Sequence, residues 1–292
     1  MTLSKKTVLI TGCSDGGMGA ALAVAFHNAG FHVYATARNP AKMEDLKAKG
    51  IETLVLDVQS EDSIAAAVSH VSEISESRGL DILVNNAGTQ FLMPVVDINI
   101  ADAKKIYDLN VFSHIAVTQA FLPLLLKAAG DGGGSIIINQ TSVGARVTIP
   151  FQAVYNSSKA AFAMLSDSMR LELQPFGIKV IDLRTGVVQT NLIKNLQETQ
   201  RPSLPEGSIY GRAKDVVEKA LRQEGFEGQG MPAHQWAEHV VRDVMKKTPP
   251  PIIWRGESAL ITRISTVLPF GFFDGLVKKL SGLDVIEQII RK

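Results

Sequence analysis

Tyr155 and Lys159 stand four residues apart at the head of an apolar, helix-like run, Ala160-Ala-Phe-Ala-Met-Leu165. Residues at i and i+4 share one helix face, so a phenol and an ammonium lie side by side. A tyrosine ordinarily titrates near ~10, and an adjacent positive charge favours its phenolate. A phenol tuned in this way gives or takes a proton near neutral pH. Ser142 follows Ser135-Ile-Ile-Ile-Asn-Gln-Thr141, which reads as a buried strand and a turn. Its hydroxyl is therefore expected at a strand's carboxyl end, where open α/β sheets bind ligands. A lone Tyr-x-x-x-Lys is more often a packed phenol beside a solvated amine, so the weight of the reading comes from the elements upstream.

Those elements alternate strand and helix. Thr7–Thr11 is a short β-rich run, Gly12–Gly19 is glycine-rich, and Ala20–Phe26 is helical in composition. Glycines between a strand and a helix let the backbone approach a pyrophosphate, and the helix start offers free N–H groups. Phe31–Thr36 reads as the second strand, followed by Ala37-Arg38-Asn39-Pro40. An NAD site places an acid near here for the ribose 2′-hydroxyl. None is present, and the Arg38 guanidinium suits a 2′-phosphate instead, which favours NADP. Ile51–Leu56 is the third strand, ending at Asp57-Val58, and Ser60 is placed to cap a helix running to about Ser77. Leu80–Val84 is the fourth strand, closed by Asn85-Asn86-Ala87-Gly88, small and amide residues able to face a flat cofactor. Asp102–Lys127 reads as one long helix or two in tandem. Asn110 falls inside it, although asparagine is a poor mid-helix residue. Further strands are expected at Ile178–Leu183 and Pro251–Trp254 and a helix at Met231–Lys247; the polar stretch 195–230 is the expected mobile lid.

Composition narrows the class. The chain has 292 residues, 46% of them hydrophobic, with 30 Lys+Arg against 29 Asp+Glu. A net charge of +1 carries no signature of nucleic-acid binding. The single cysteine, Cys13, excludes an internal disulfide and suits a reducing compartment. No secretory signal is read at the N-terminus, and the uncharged stretch Leu109–Leu126 carries enough polar residues to read as a buried helix rather than a span. The six histidines show no metal spacing, so no metal site is expected.

Together these stretches resemble the short-chain dehydrogenase/reductase family over roughly residues 5 to 195. The matching pieces are Thr11-Gly12 to Gly19, Asp57-Val58, Asn85 to Gly88, Asn110, Ser142, Tyr155-x-x-x-Lys159 and Gly186 to Thr190. Within the family the chain looks most like fungal acyldihydroxyacetone-phosphate reductases, and it also resembles hydroxysteroid dehydrogenases. Thr185 departs from the Pro that many members carry before Gly186.

The resemblance implies a doubly wound Rossmann sheet of about seven parallel strands flanked by helices. Residues 1–292 would form one domain, with a substrate lid at 195–230 and a C-terminal extension at 257–292. It further implies an NADP(H)-dependent oxidoreductase that interconverts a ketone or aldehyde with an alcohol. Tyr155 would be the general acid. Lys159 would lower its pKa and hold the nicotinamide ribose, Ser142 would orient the substrate oxygen, and Asn110 would hold a water behind Lys159. The cofactor would rest on Gly12, Ser14, Gly17, Met18, Gly19, Arg38, Asp57, Val58, Asn86, Ala87, Gly88, Tyr155, Lys159, Val188 and Thr190. The apolar tail points to a hydrophobic substrate (lipid, steroid or polyketide-like). Two alternatives stay open: a non-catalytic NADP-binding regulator, and an enzyme using the same pocket for a non-redox or coupled step. Residues 260–290 are expected to pack on the domain or seal a homodimer or homotetramer interface. The location is expected to be cytoplasmic, with peripheral contact to a membrane or lipid droplet as the competing role of the tail.

Overall fold

The computed structural model describes residues 5–74, 78–130 and 134–292. The chain runs β1 (Thr7–Ile10), α1 (Met18–Asn28), β2 (His32–Ala37), α2 (Glu44–Ala48), β3 (Glu52–Val55), α3 (Glu61–Ile74) and β4 (Ile82–Asn85). It continues through α4 (Ile100–Tyr107), α5 (Ser113–Ala128), β5 (Ser135–Gln140), α6 (Ala153–Leu173) and β6 (Ile178–Thr185). Among the described residues seven strands form one sheet, ordered β3-β2-β1-β4-β5-β6 and then β9 (Ile252–Arg255), every neighbouring pair parallel. Such a sheet is covered on both faces, which is why β1 and β4 are apolar, or nearly so, and buried along their whole length. The order turns back at β1, which pairs with β2 on one side and β4 on the other, and this reversal opens a crevice at the strands' carboxyl ends.

Helix α1 and α9 (Ala233–Val244) cover one face, burying Phe26 and Trp236, while α3, α5 and α6 cover the other around Val71, Phe121 and Leu125. Ser60 caps α3 as expected, accepting from the Ser63 N–H at 3.3 Å. The end of the helix expected at 75–77 lies outside the described residues. The tract expected between Asp102 and Lys127 is a single continuous helix, Ile100–Ala128. It is long and apolar enough to cross a membrane, yet Val117, Phe121 and Leu125 are wholly buried against the sheet. It is neither uniform nor broken: Asp108–Phe112 forms a single π turn between α4 and α5.

After β6 come β7 (Val188–Gln189), α7 (Leu192–Asn195), α8 (Lys214–Leu221) and β8 (Met231–Pro232). β7 and β8 pair in parallel, so the segment between them leaves and returns at one place. This stretch, expected as the most mobile part, is built around its own apolar cluster. Leu196, Leu204, Val217 and Leu221 pack with Leu92, Phe151 and Ile286. Ile286 belongs to the tail, which folds as α10 (Ala259–Ser265), α11 (Asp274–Leu280) and α12 (Leu283–Ile290). Pro269 to Gly271 lie in the turn that separates α10 from α11.

Candidate active site

The glycine-rich loop leaves β1 through Gly12 at φ +74°, where a side chain would meet the Ala87 backbone at 2.8 Å. A residue other than glycine would wedge the loop off β4. Gly17 precedes the first turn of α1 and no side chain caps that helix, so its leading N–H groups face outward. Asn86 fastens the two walls of the crevice by donating to the Thr11 and Gly12 carbonyls at 2.8 and 3.2 Å. The Thr11 hydroxyl in turn accepts from the Asn86 and Ala87 N–H groups.

The resulting cleft holds about 350 Å³. Of the residues expected to hold the cofactor, Gly12, Ser14, Gly17, Met18, Arg38, Asp57, Val58, Asn86, Ala87, Gly88 and Thr190 line it. Gly19, Val188, Tyr155 and Lys159 do not. Gly19 lies beneath the loop, where an added Cβ would strike the Gly12 carbonyl at 2.4 Å, and the Val188 side chain packs on the core. The cleft suits a dinucleotide: glycine walls, an uncapped helix start, an exposed Arg38, and an Asn86 Oδ1 buried without a hydrogen-bond partner. Lys42 lines it too, four residues after Arg38, a second cation that the sequence reading passed over. Asn191 and Leu192, just before the expected lid, and Asn195 and Gln200 within it also line the cleft. A larger hollow of about 860 Å³ among α1, α2 and α9 carries none of Ser142, Tyr155 and Lys159.

Those three groups meet where β5 ends. Ser142 lies just past β5 in extended backbone and caps the short turn Val143–Ala145, accepting from the Gly144 N–H at 3.0 Å. Tyr155, in the first turn of α6, is hydrogen-bonded to Ser142. Burial pushes the phenol pKa up, with the Ser142 bond pulling it back in part. The expected depression by Lys159 is not seen, because that ammonium turns away. It donates to the Gln140 carbonyl at 2.9 Å and stands close under Gly88. Lys159 is almost completely buried, and desolvation brings its pKa down to about 8, offset in part by the Asp182 carboxylate. Asp182 is itself held by Arg184 at 2.7 Å and by the Thr141 hydroxyl.

Asn110 lies in the π turn, fully buried. Its amide donates to the Thr89 carbonyl at 2.9 Å and the Ser158 hydroxyl at 3.1 Å, and its oxygen accepts from the Thr89 N–H at 3.0 Å. The side chain that read as a helix defect therefore pins the cleft wall at Thr89. The π turn is what rotates it inward, a distortion typical of functional positions. His114 is the group the sequence reading missed. It is buried, stacked on Phe162 at 4.5 Å, and driven down to about 3 by desolvation and then by the charge of Lys159.

A crevice at the sheet's switch point, with a glycine cradle on one side and a serine, tyrosine and lysine on the other, defines a dinucleotide-dependent oxidoreductase. The sequence profile described as short chain dehydrogenase matches residues 6–201, and the chain belongs to that family, whose members use a nicotinamide cofactor. A short-chain dehydrogenase/reductase of Pestalotiopsis microspora is 52% identical over 292 residues, covering 100% of this chain and 99% of the relative. The NADPH-dependent 1-acyldihydroxyacetone phosphate reductase of Schizosaccharomyces pombe is 36% identical, with 94% of each chain covered. Among solved structures, a short-chain dehydrogenase from Streptomyces avermitilis superposes with a TM-score of 0.74 at 25% identity, covering 98% of both chains.

Proposed function

We propose that the protein is an NADP(H)-dependent carbonyl reductase acting on an apolar ketone or aldehyde, its 292 residues working as one unit. The observation that carries this reading is the hydrogen-bonded Ser142–Tyr155 pair with a buried Lys159 behind it, its ammonium beside Gly88 of the glycine cleft. Bound in that cleft, the nicotinamide cofactor supplies or accepts the hydride. Ser142 orients the substrate oxygen, and Tyr155 gives it a proton on reduction and removes one on oxidation. A phenol pKa raised by burial keeps Tyr155 in its donor form at neutral pH, which suits reduction. Lys159 holds the cofactor's ribose hydroxyls and replaces the proton that Tyr155 loses. Arg38 and Lys42 bind a 2′-phosphate, and the NADPH dependence named for the fission-yeast relative supports that choice. The apolar cluster of residues 196–221 with Leu92 and Phe151 forms the substrate's enclosure.

The test is NADPH consumption by the purified protein against a panel of apolar ketones and aldehydes. Tyr155→Phe is expected to lower turnover on the order of 10²–10⁴ while NADPH still binds. Wild-type turnover in that variant, or no NADPH binding by the wild type, refutes the assignment.

A further inference from the structure

We propose that the tip formed by α10, α11 and the turn between them docks on an anionic lipid surface. Helix α10 turns Ala259 and Thr262 inward and leaves Leu260 and Ile264 outward, at i and i+4, on one face, and Val267 follows in the turn after it. Val267 is 82% exposed, and Phe270, in the turn, is 105% exposed: its ring stands clear of every neighbour. Phe272 and Leu276 continue the apolar surface toward α11. So many large apolar side chains in one short stretch exceed the single surface hydrophobics that need no explanation.

Charge selects the occupant. Arg263, Lys278 and Lys279 are exposed around this apolar tip and make no salt bridge among the described residues; with the exposed Asp274 between them, three cations against one anion leave the tip net positive. Aromatic and aliphatic side chains flanked by unpaired cations match the boundary between acyl chains and anionic headgroups. A second copy is the weaker fit, because an isologous contact would set these three cations against their own kind. A protein partner would need a pocket for Phe270, whereas fluid acyl chains accept a protruding ring without one.

The tip adjoins the site. Helix α10 rests against the Val143–Ala145 turn that Ser142 caps, and α12 rests against the Gly211–Ala213 turn and α8. A docked molecule therefore holds its apolar enclosure beside the bilayer, and an apolar carbonyl dissolved there reaches Tyr155 without crossing water. That last step rests on the proposed reductase reading; docking does not.

Co-sedimentation of the full chain with vesicles, without cofactor or substrate, separates the two. Vesicles of phosphatidylcholine alone and of phosphatidylcholine with phosphatidylserine are the probes. The protein is expected to pellet with the mixed vesicles and weakly with the neutral ones. Phe270→Ser combined with Phe272→Ser should abolish binding, and Lys278→Gln with Lys279→Gln should weaken it about twenty-five-fold, since each cation near such a surface contributes about fivefold. Both lysines are exposed, so their removal tests the idea even if the phenylalanine pair lowers the melting temperature. A wild type that stays in the supernatant with both vesicles overturns the proposal, as does binding that neither variant changes. Sedimentation showing a dimer that Phe270→Ser converts to a monomer, with no vesicle binding, assigns the tip to a second copy instead.

Discussion

At the scale of single residues, the site is governed by what burial does to charge. Lys159 and His114 share one dry compartment, and each is pushed toward its neutral form. The consequence for His114 has a definite sign. Its folded pKa of about 3 lies below the unfolded value near 6.5, so between these limits the unfolded chain binds the extra proton and stability rises with pH. Lowering the pH from about 6.5 to 5 should cost about 2 kcal/mol through this group alone. His114→Leu removes that loss, and denaturant titrations at the two pH values should show the flatter profile. Arg38→Ala should weaken NADPH binding by one to two orders of magnitude, the range for a hydrogen bond to a charged group, and leave NADH nearly unchanged. Fluorescence titration of both cofactors checks it; Lys42 retains part of the preference. Ser142, Tyr155 and Lys159 were legible in the sequence because their spacing survives folding: four residues on a helix is one face. His114 was not, since nothing in Ser113-His-Ile-Ala marks which neighbour its ring stacks on or how far water is excluded.

At the scale of elements, the strands of the sheet were legible to within two residues because β1, β4 and β5 are largely buried apolar runs between turn residues, whereas α2 was not read at all and the helix expected at Met231–Lys247 is shorter, Ala233–Val244. The exceptions are instructive. A π turn inserts one extra residue into a helix without changing its composition, so Asp108–Phe112 left only the oddity of Asn110 as a trace. That trace carries weight: Asn110→Ala strands the Thr89 backbone groups and the Ser158 hydroxyl in a buried site, an expected loss of about 3 kcal/mol. Thermal melting should register it, and NADPH affinity should fall with it, because Thr89 and Gly88 wall the cleft. The apolar cluster within 195–230 was hidden in the sequence for a related reason. The segment's polar, proline-bearing composition describes its outer surface, while four scattered apolar residues, Leu196, Leu204, Val217 and Leu221, find partners contributed from elsewhere in the chain.

At the scale of the whole molecule, the distant partner is the tail. Ile286 is buried in the cluster that holds the lid together, and Arg212 of the lid donates to the Ile290 carbonyl at 3.2 Å. Ile286→Ala should loosen this cluster by about 3 kcal/mol, raise KM more than it lowers kcat, and expose residues 196–230 to faster limited proteolysis while the sheet stays intact. A rise in KM without faster cleavage would place Ile286 in the pocket rather than in the support. Lid and tail meet a second time at Val187, whose carbonyl accepts from both the Met231 and Glu257 N–H groups, at 3.1 and 3.0 Å. Glycines keep the crossing tight: a Cβ on Gly230 would strike the Val187 backbone at 2.8 Å, and one on Gly186 the Glu257 carbonyl at 2.0 Å. This crossing works as a buckle. It closes before the lid begins and again after it ends, so what lies between is a cassette whose two seams are set by backbone alone. A foreign stretch cut into the chain after Gln200 and rejoined before Gly230 would inherit the seams, the cradle and the proton donor unchanged. Selectivity could then drift, or be engineered, without renegotiating the chemistry.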